Sequence, residues 1–392
     1  MKSGIFALSL VLALSQTARA DFASCKQTIK AQAAAEGVSQ ATLSRALDNL
    51  QPNDAVSFLG AQPEFSTPIW DYIAGLVDDE RVRDGRERFA QYRQAALAAQ
   101  HRFGVDAPAL IAVWGVESDF GRSFGGRPII QSLTTLACTP NRRSGYFHGE
   151  LLAALKILGH GDVKLEEFNG SWAGAFGNTQ FMPSTFLRLA VDGDGDGKRD
   201  VINSVPDALS STANFLHRAG WTPGMPWGFE VRLPAGYRGP SGWRAKKPLS
   251  FWTTHGLAHV NGAPLSGGGA FGLFLPAGPN GPAFLVSRNF DAFYSYNAAE
   301  SYALALGLLS DRIKGGPGLI TPWPTDDPGV PRVERREVQT LLAQRGYDIG
   351  GKIDGVMGTK TREAIAAYQR RIGMQPNGRA SVKLLAALRS GK

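Results

Sequence analysis

One carboxylate closes an otherwise apolar run: Ala112-Val113-Trp114-Gly115-Val116-Glu117-Ser118-Asp119-Phe120-Gly121-Arg122. Asp106 and Pro108 mark a helix start and Gly121 its stop, so Glu117 falls near the end of the helix. Trp114, Val116 and Phe120 flank the acid. A carboxyl group held against aromatic and aliphatic side chains loses hydration, which disfavours its charged form and raises its pKa. Such a group carries a proton near neutrality and can give it to a leaving oxygen. On these residues alone, a solvated surface glutamate is the commoner case.

The chain has 392 residues, enough for two or three domains, and its 43% hydrophobic and 19% charged content describes a globular protein. The N-terminus reads as a secretory signal over residues 1–20. Lys2 gives the positive start, Ile5 to Leu14 an apolar segment too short to span a membrane, and Ala18-Arg19-Ala20 the cleavage site. The mature chain is expected to start at Asp21, soluble and exported to the periplasm. Its two cysteines, Cys25 and Cys138, then read as one disulfide, worth ~4 kcal/mol or more in the loop-entropy picture. Two separate buried thiols are the other reading. Loss of Lys2 and Arg19 with the signal, which carries no acid, takes the formal charge from +8 to +6. A basic exported protein suits a polyanionic surface such as a cell wall, and no nucleic-acid motif is present.

Helical spacing recurs through most of the chain. Ser39 is an N-cap candidate ahead of Leu43, Ala46, Leu47 and Leu50. Residues 78–104 read as one charged helix with an acidic start, 107–120 as the helix bearing Glu117, and Tyr146–Leu158 and 206–219 as two more. From Trp221 to Phe290, Gly and Pro are dense. Short runs at Phe229–Leu233, Phe271–Leu275 and Phe284–Val286 read as strands of a small β-rich insertion. Helix returns over 292–313. Residues 315–332 are a Pro/Gly-rich linker. A unit of three helices follows over 333–390, at 334–345, 359–371 and 380–389, with a faint repeat in its Asp354-Gly355 and Asn377-Gly378 turns.

Gly170-Ser171-Trp172-Ala173-Gly174-Ala175-Phe176-Gly177-Asn178-Thr179-Gln180-Phe181-Met182-Pro183-Ser184 mixes small residues with amides, a hydroxyl and flat aromatic faces. Sugars are bound by that mixture. A tight helix–helix contact explains the composition equally well. Asp192-Gly193-Asp194-Gly195-Asp196-Gly197-Lys198-Arg199-Asp200 opens like a calcium loop, with oxygens at positions 1, 3 and 5 and Gly at 6. The Lys198 carbonyl falls at position 7 and Asp200 at 9. Position 12 is Asn203 rather than Glu, so Asp207 is the candidate to close the site. One structural Ca2+ is the expectation, and a plain polar turn the alternative. The six histidines show no zinc spacing.

Taken together, the Glu117 and Gln180 segments resemble the membrane-bound lytic transglycosylase B family over roughly residues 24–314. The tail resembles the three-helix peptidoglycan-binding module, through Val338-Gln339, Leu341-Leu342, Gly346-Tyr347, Asp354-Gly355, Gly358, Thr361-Arg362 and Tyr368-Gln369. The resemblance implies a mainly α, goose-type lysozyme-like catalytic domain over 21–314 with a small β-rich subdomain, and no organic cofactor. It makes Glu117 the single acid/base that cleaves between N-acetylmuramic acid and N-acetylglucosamine with formation of a 1,6-anhydro end. It lends Arg142, Arg143 and Tyr146 contacts to the glycan strand and its peptide stem. Ser171, Gln180, Phe181, Tyr296, Asn297 and Tyr302 become cleft contacts. Phe215 departs from the pattern, since relatives can carry a tyrosine there.

Asp119 lies two residues from Glu117 and so points to another helix face. Glu166 and Glu167 read as a surface pair. A missing second carboxylate argues against ordinary glycosidases, which need two. A hydrolytic muramidase using an activated water and a non-catalytic wall-binding scaffold remain the alternatives. The expected partner is peptidoglycan, bound by a monomer whose tail tethers it to the wall, with cell-wall enzyme complexes as further partners.

Overall fold

The computed structural model describes residues 21–60 and 67–391; the expected signal at 1–20 lies outside the described residues. In chain order the helices are α1 (21–35), α2 (Gln40–Leu47), α3 (Ile69–Leu76), α4 (Asp79–Gln91), α5 (Arg93–Phe103), α6 (Ala107–Ser118), α7 (Ile129–Cys138), α8 (Ser144–His160), α9 (Pro183–Leu189) and α10 (Val205–Arg218). They continue with α11 (Leu249–Thr254), α12 (Arg288–Asn297), α13 (Glu300–Ile313), α14 (Arg332–Gln344), α15 (Thr359–Arg371) and α16 (Val382–Arg389). Two short strands, β1 (Arg127–Pro128) and β2 (Asn169–Gly170), pair antiparallel. Five more are β3 (Gly228–Arg232), β4 (Gly242–Pro248), β5 (Ala258–His259), β6 (Ala270–Phe274) and β7 (Ala283–Val286). No described helix is long and apolar enough to cross a membrane.

The mainly helical expectation holds, with three differences of detail. The single helix expected over 78–104 is two, because the backbone opens at Tyr92 (φ −106°, ψ 23°). The helix expected over 292–313 is broken at Ala298, which sits in the left-handed region at φ 51°. Strand β4 carries Trp243-Arg244-Ala245-Lys246-Lys247, too basic to have read as a strand. The Ser39 cap expected from the sequence forms, its Oγ accepting from Thr42 N at 3.1 Å, and Asp78 caps the next charged helix, its Oδ1 accepting from Arg81 N at 2.9 Å.

One compact unit comprises 21–60 with 117–215. Its core lies between α1, α2, α7 and α8, where Ile29, Leu43, Leu133, Leu136, Phe147, Leu151 and Leu155 are fully buried. Cys25 and Cys138 form a disulfide with Cα atoms 5.7 Å apart, which pins α1 to the end of α7.

The other unit comprises 67–116 with 216–391. It holds the apolar part of α6, where Ala109, Leu110, Ile111, Ala112 and Val113 are at most 1% exposed. Five consecutive buried positions cover every face of a helix, so α6 is enclosed all round. The β-rich insertion is an antiparallel sheet of order β4-β6-β7-β3-β5. Trp252, Phe271, Leu273 and Leu285 form its core.

Within this unit the C-terminal helices α14, α15 and α16 close on Val338, Leu342, Ile365, Tyr368, Leu384 and Leu388. Val330, upstream of α14, belongs to the same core. The faint repeat is structural. Gln339 Oε1 accepts from Gly355 N at 2.7 Å, and Gln369 Oε1 from Gly378 N at 2.9 Å. A Cβ at either glycine would sit 3.0 Å from a carbonyl, that of Arg332 or of Arg362, and both have positive φ (78° and 68°). Each turn therefore needs glycine, and each is clamped by a buried glutamine one helix back. The module is also fastened to α3 and α4 by ion pairs, so it does not hang from its linker alone. Arg379 binds Asp71, Arg332 Asp78, and Arg336 Glu80.

Candidate active site

Glu117 is the penultimate residue of α6 and is half-buried. The chain leaves the helix through three consecutive left-handed residues, Asp119 (φ 51°), Phe120 (φ 58°) and Gly121 (φ 82°). Two of these carry side chains, a conformation that costs of order 1–3 kcal/mol each and persists only where the surroundings impose it. Part of the imposing is done by Ser118, which is 1% exposed. Its hydroxyl accepts from Gly121 N at 3.0 Å and donates to the Asn178 carbonyl at 2.6 Å. The residue after Glu117 is thus pinned to the Gly/Ala-rich segment. At the other side of Glu117, the buried Arg81 guanidinium donates to the Gly115 carbonyl, a cation at a helix C-terminus where the dipole favours one.

The segment 170–181 folds back on itself. Gly170 bridges Phe176, and Phe176 bridges Phe181. A Cβ at Gly170 would lie 2.1 Å from the Ala175 carbonyl, so that turn admits only glycine. Ser171 Oγ accepts from Ala175 N at 3.0 Å. Gln180 is left-handed (φ 51°), and its side-chain nitrogen donates to Phe124 O at 3.2 Å and to Gly177 O at 2.9 Å. Two carbonyl acceptors fix the amide orientation, which leaves Oε1 as the group for an outside donor.

Of the aromatic faces expected to meet sugar, two turn inward. Phe176 is fully buried, and Phe181 is 2% exposed with its ring 6.1 Å from that of Phe215. Phe181 is therefore core rather than an open face. Trp172 is half-buried and stacks 6.2 Å from Phe58. Arg142, Arg143 and Tyr146 are exposed at the start of α8, and the Arg143 guanidinium lies 4.7 Å over the Tyr146 ring. The Tyr146 phenol is pushed up to about 12, first by desolvation and then by the charge of Glu150, against a lowering by Arg143. Tyr296, Asn297 and Tyr302 belong to the other compact unit, where they meet at the Ala298 corner. Tyr296 and Tyr302 stack at 6.2 Å, with Tyr302 only 2% exposed.

The other acids that the sequence raised are paired or exposed. Asp119 pairs with Arg122 at 3.6 Å. Glu166 and Glu167 are exposed, and Glu167 pairs with Lys164 at 3.1 Å.

In the acidic loop, one oxygen from each of Asp192, Asp194 and Asp196 lies within 4.8 Å of the others. Asx-type bonds curl the loop around them: Asp192 accepts from Gly195 N and Gly197 N, and Asp196 from Lys198 N. Gly195 and Gly197 have positive φ. Three converging carboxylates fit a hard cation with oxygen ligands. Asp200 accepts from Ile202 N, Asn203 N and Asn203 Nδ2, which shapes the loop's exit. Asp207 is fully buried and accepts from Gly193 N, Asp194 N and Asp200 N. Its carboxylate is pushed up, chiefly by burial, with Asp194 adding to the rise against the backbone donors. Both its oxygens already hold backbone, so Asp207 acts as the pin of the loop.

Sequence reasoning missed Asn178. It is 3% exposed; its backbone N–H donates to Val201 O at 2.8 Å, and its side-chain amide to Val201 O at 3.1 Å and Ile202 O at 2.8 Å. A Cβ at Gly177 would lie 2.7 Å from Val201 O. The acidic loop is thereby clasped to the segment whose Asn178 carbonyl holds Ser118, next to Glu117. Nothing local in Gly-Asn-Thr announces this.

The transglycosylase SLT domain family model matches residues 21–311, and a putative peptidoglycan binding domain matches 331–388. The chain belongs to the transglycosylase SLT domain family. It is an enzyme of that lytic transglycosylase class, with a lysozyme-like helical fold and a peptidoglycan-binding domain at its C-terminal end. It is similar to membrane-bound lytic murein transglycosylase B of Escherichia coli, at 28% identity over 69% of this chain and 73% of that one. Among solved structures it is similar to SltB3 from Pseudomonas aeruginosa in complex with NAG-anhNAM-pentapeptide. Identity there is 46%, covering 94% of this chain and 99% of that one, with a TM-score of 0.75. It is also similar to the Escherichia coli lytic transglycosylase Slt35 in complex with calcium, at 27% identity over 74% and 92%, with a TM-score of 0.65.

Proposed function

We propose that this enzyme cleaves the β-1,4 bond between N-acetylmuramic acid and N-acetylglucosamine of peptidoglycan, and that Glu117 is its single acid and base. In the first step the Glu117 proton passes to the glycosidic oxygen, and the bond from that oxygen to the muramoyl C1 breaks. The muramoyl 6-hydroxyl oxygen then bonds to C1, and its proton returns to Glu117. No water is consumed, and the strand ends in a 1,6-anhydro sugar. The likeness to SltB3 solved with NAG-anhNAM-pentapeptide supports this product.

The observation that carries the reading is the anchoring of Glu117. The acid stands at the end of an enclosed helix, and the next residue is bonded to the Gln180-bearing segment. That anchoring supports Glu117 as the proton donor and the Gln180-bearing segment as the source of neutral hydrogen-bonding groups, the combination a sugar ring needs. Asp119 and Glu167 are paired and Glu166 is exposed, which supports the ring-closing route over activation of water by any of these three carboxylates.

In this reading Arg142, Arg143 and Tyr146 meet the glycan and its peptide stem, Ser171 and Gln180 meet ring substituents, and Tyr296 and Asn297 offer further sugar contacts, with the buried Tyr302 stacked behind Tyr296 rather than open to substrate. Asp192, Asp194 and Asp196, with the Lys198 carbonyl and Asp200, would hold one structural Ca2+. The enzyme works in the periplasm as a monomer after signal cleavage. Digestion of purified sacculi tests it: the products should be one water lighter than those of a muramidase. Glu117→Gln should lower cleavage by about 100-fold or more, the scale of general acid catalysis. Products at full hydrated mass, or an active Glu117→Gln protein, would overturn it.

A further inference from the structure

The mechanism uses one carboxylate, yet a second acid lies deeper in the same compact unit. Glu150, on α8, is only 4% exposed. Its Oε1 accepts from the Ser184 hydroxyl at 2.7 Å and its Oε2 from Ser184 N at 2.9 Å. Ser184 is the second residue of α9, and Met182, the N-cap, makes no side-chain bond to that helix. The first turn of α9 therefore takes its acceptor from α8, and a negative group there also suits the dipole.

Two further relationships make this more than a helix cap. Ser184 follows the left-handed Gln180 by four residues, through the buried Phe181. On α8, Arg143, Tyr146 and Glu150 are spaced three and four apart, which puts them on one face. One turn separates Tyr146 from Glu150, whose charge acts on the phenol, and Arg143 covers the Tyr146 ring. A carboxylate is an acceptor-only group, and here its two oxygens hold both donors of Ser184.

We propose that Glu150 is a positioning residue, whose buried carboxylate fixes the Gln180 segment to the face of α8 that carries Arg143 and Tyr146. The contacts to sugar from the loop and to the peptide stem from the helix are thereby held in one geometry. This rests on the roles proposed above for Arg143, Tyr146 and Gln180.

The test uses the full-length protein and soluble glycan strands bearing stem peptides, with kcat, KM and Tm measured for each variant. Glu150→Ala should lower kcat/KM about tenfold well below its Tm, with both kcat and KM affected, as expected for a small displacement of binding groups. Glu150→Gln keeps an acceptor for Ser184 N and should recover activity to within about threefold of the parent. If Glu150 acts through the loop, Glu150→Ala and Gln180→Ala together should cost no more than about twice the worse single change, because coupled residues are not additive. Should Glu150→Ala not fold, Ser184→Ala removes only the hydroxyl arm and should show the same non-additivity with Gln180→Ala. A lowered Tm with kcat/KM unchanged, or effects that multiply in the double variant, would overturn the proposal. Glu117→Gln measured alongside separates the two readings. An active Glu117→Gln sinks the site assignment, whereas an inactive one beside an unaffected Glu150→Ala sinks only the role of Glu150.

Discussion

Arg379 grips Asp71 with two hydrogen bonds, Nε to Oδ2 at 2.6 Å and Nη2 to Oδ1 at 2.9 Å, across 308 residues of sequence. Asp71 is 5% exposed. Around this pair four arginines of the C-terminal module meet acids and a carbonyl on α3 and at the start of α4. Arg332 reaches Asp78 at 3.1 Å, Arg336 reaches Glu80 at 2.8 Å, and Arg335 donates to the Asp71 carbonyl at 2.6 Å and the Val330 carbonyl at 2.9 Å. Burial holds Arg335 below the usual guanidinium range, against the pull of Asp71 and Asp78. Breaking one partner of a buried pair is costly because it strands the other charge.

The seat of Arg335 is Gly75, where a Cβ would fall 2.3 to 2.5 Å from the guanidinium. Gly75→Ala should favour α3 by about 1 kcal/mol on propensity alone. It must also displace Arg335 from its carbonyl partners, at about 1.5–3 kcal/mol per charged hydrogen bond. The second effect wins, so the module should loosen. Limited proteolysis should then cut residues 315–328 several-fold faster in Gly75→Ala, and small-angle scattering should show a larger radius of gyration. Unchanged cleavage and scattering would mean that Arg335 does not hold the module.

The disulfide is the only covalent tie on α1 besides the chain itself, and it closes a loop with a sequence separation of 113. Replacing Cys25 and Cys138 together by Ser should cost about 4–5 kcal/mol by loop entropy. The apolar face of α1 remains, with Ile29 fully buried and Ala33 1% exposed, so the fold should survive with a lower Tm. Amide exchange should rise first in residues 21–35. A Tm unchanged between the oxidised and reduced protein would contradict this.

How much of this was legible in the sequence depended on range. The cap at Ser39 could be read, because a cap is made by residues three apart. So could the repeat in the tail, because each glutamine meets its turn within one helix. Glu117 and Gln180 stood out as single residues, each within a distinctive local run. Asn178, Glu150 and Arg81 could not be read, since each acts on backbone brought near only by the fold. The inward turn of Phe181 was hidden for the same reason: an aromatic side chain in a glycine-rich segment has no local signal for which side it faces.

The acidic loop gives a prediction with two arms. Three exposed or half-exposed carboxylates within 4.8 Å repel one another, so a divalent cation should bind and stabilise the folded chain. At about 100 times its dissociation constant, calcium should add about 2.7 kcal/mol, seen as a Tm rise of several degrees. Asp194→Asn with Asp196→Asn should abolish that rise. Asn178→Ala should keep the rise but lower cleavage, because it loosens the clasp between the loop and the segment that holds Ser118. A calcium response surviving the double Asp variant would place the site elsewhere.

A last prediction follows from Asp311, whose Oδ2 accepts from the Trp227 indole N–H at 2.8 Å. The indole lies against Gly307, one turn earlier on α13, where a Cβ would meet the ring at 2.4 Å. Burial pushes the Asp311 carboxyl above its ordinary value; Trp227 and Lys314 oppose the rise, and Asp106 adds to it. In the folded chain this acid thus binds its proton more tightly than in the unfolded one. Its contribution to stability is fully present below the ordinary carboxylate range and is lost as pH rises through the raised folded value. Asp311→Asn keeps an acceptor for Trp227 and carries no charge at any pH. The variant should match the parent near pH 3 and be the more stable of the two by pH 7. The gap should open above the ordinary carboxylate range and level off once the folded carboxyl is ionised. Thermal unfolding of both proteins across that range checks it. A variant less stable than the parent at pH 7 would show that the ionised carboxylate is favoured at this site, through Lys314 and the indole together.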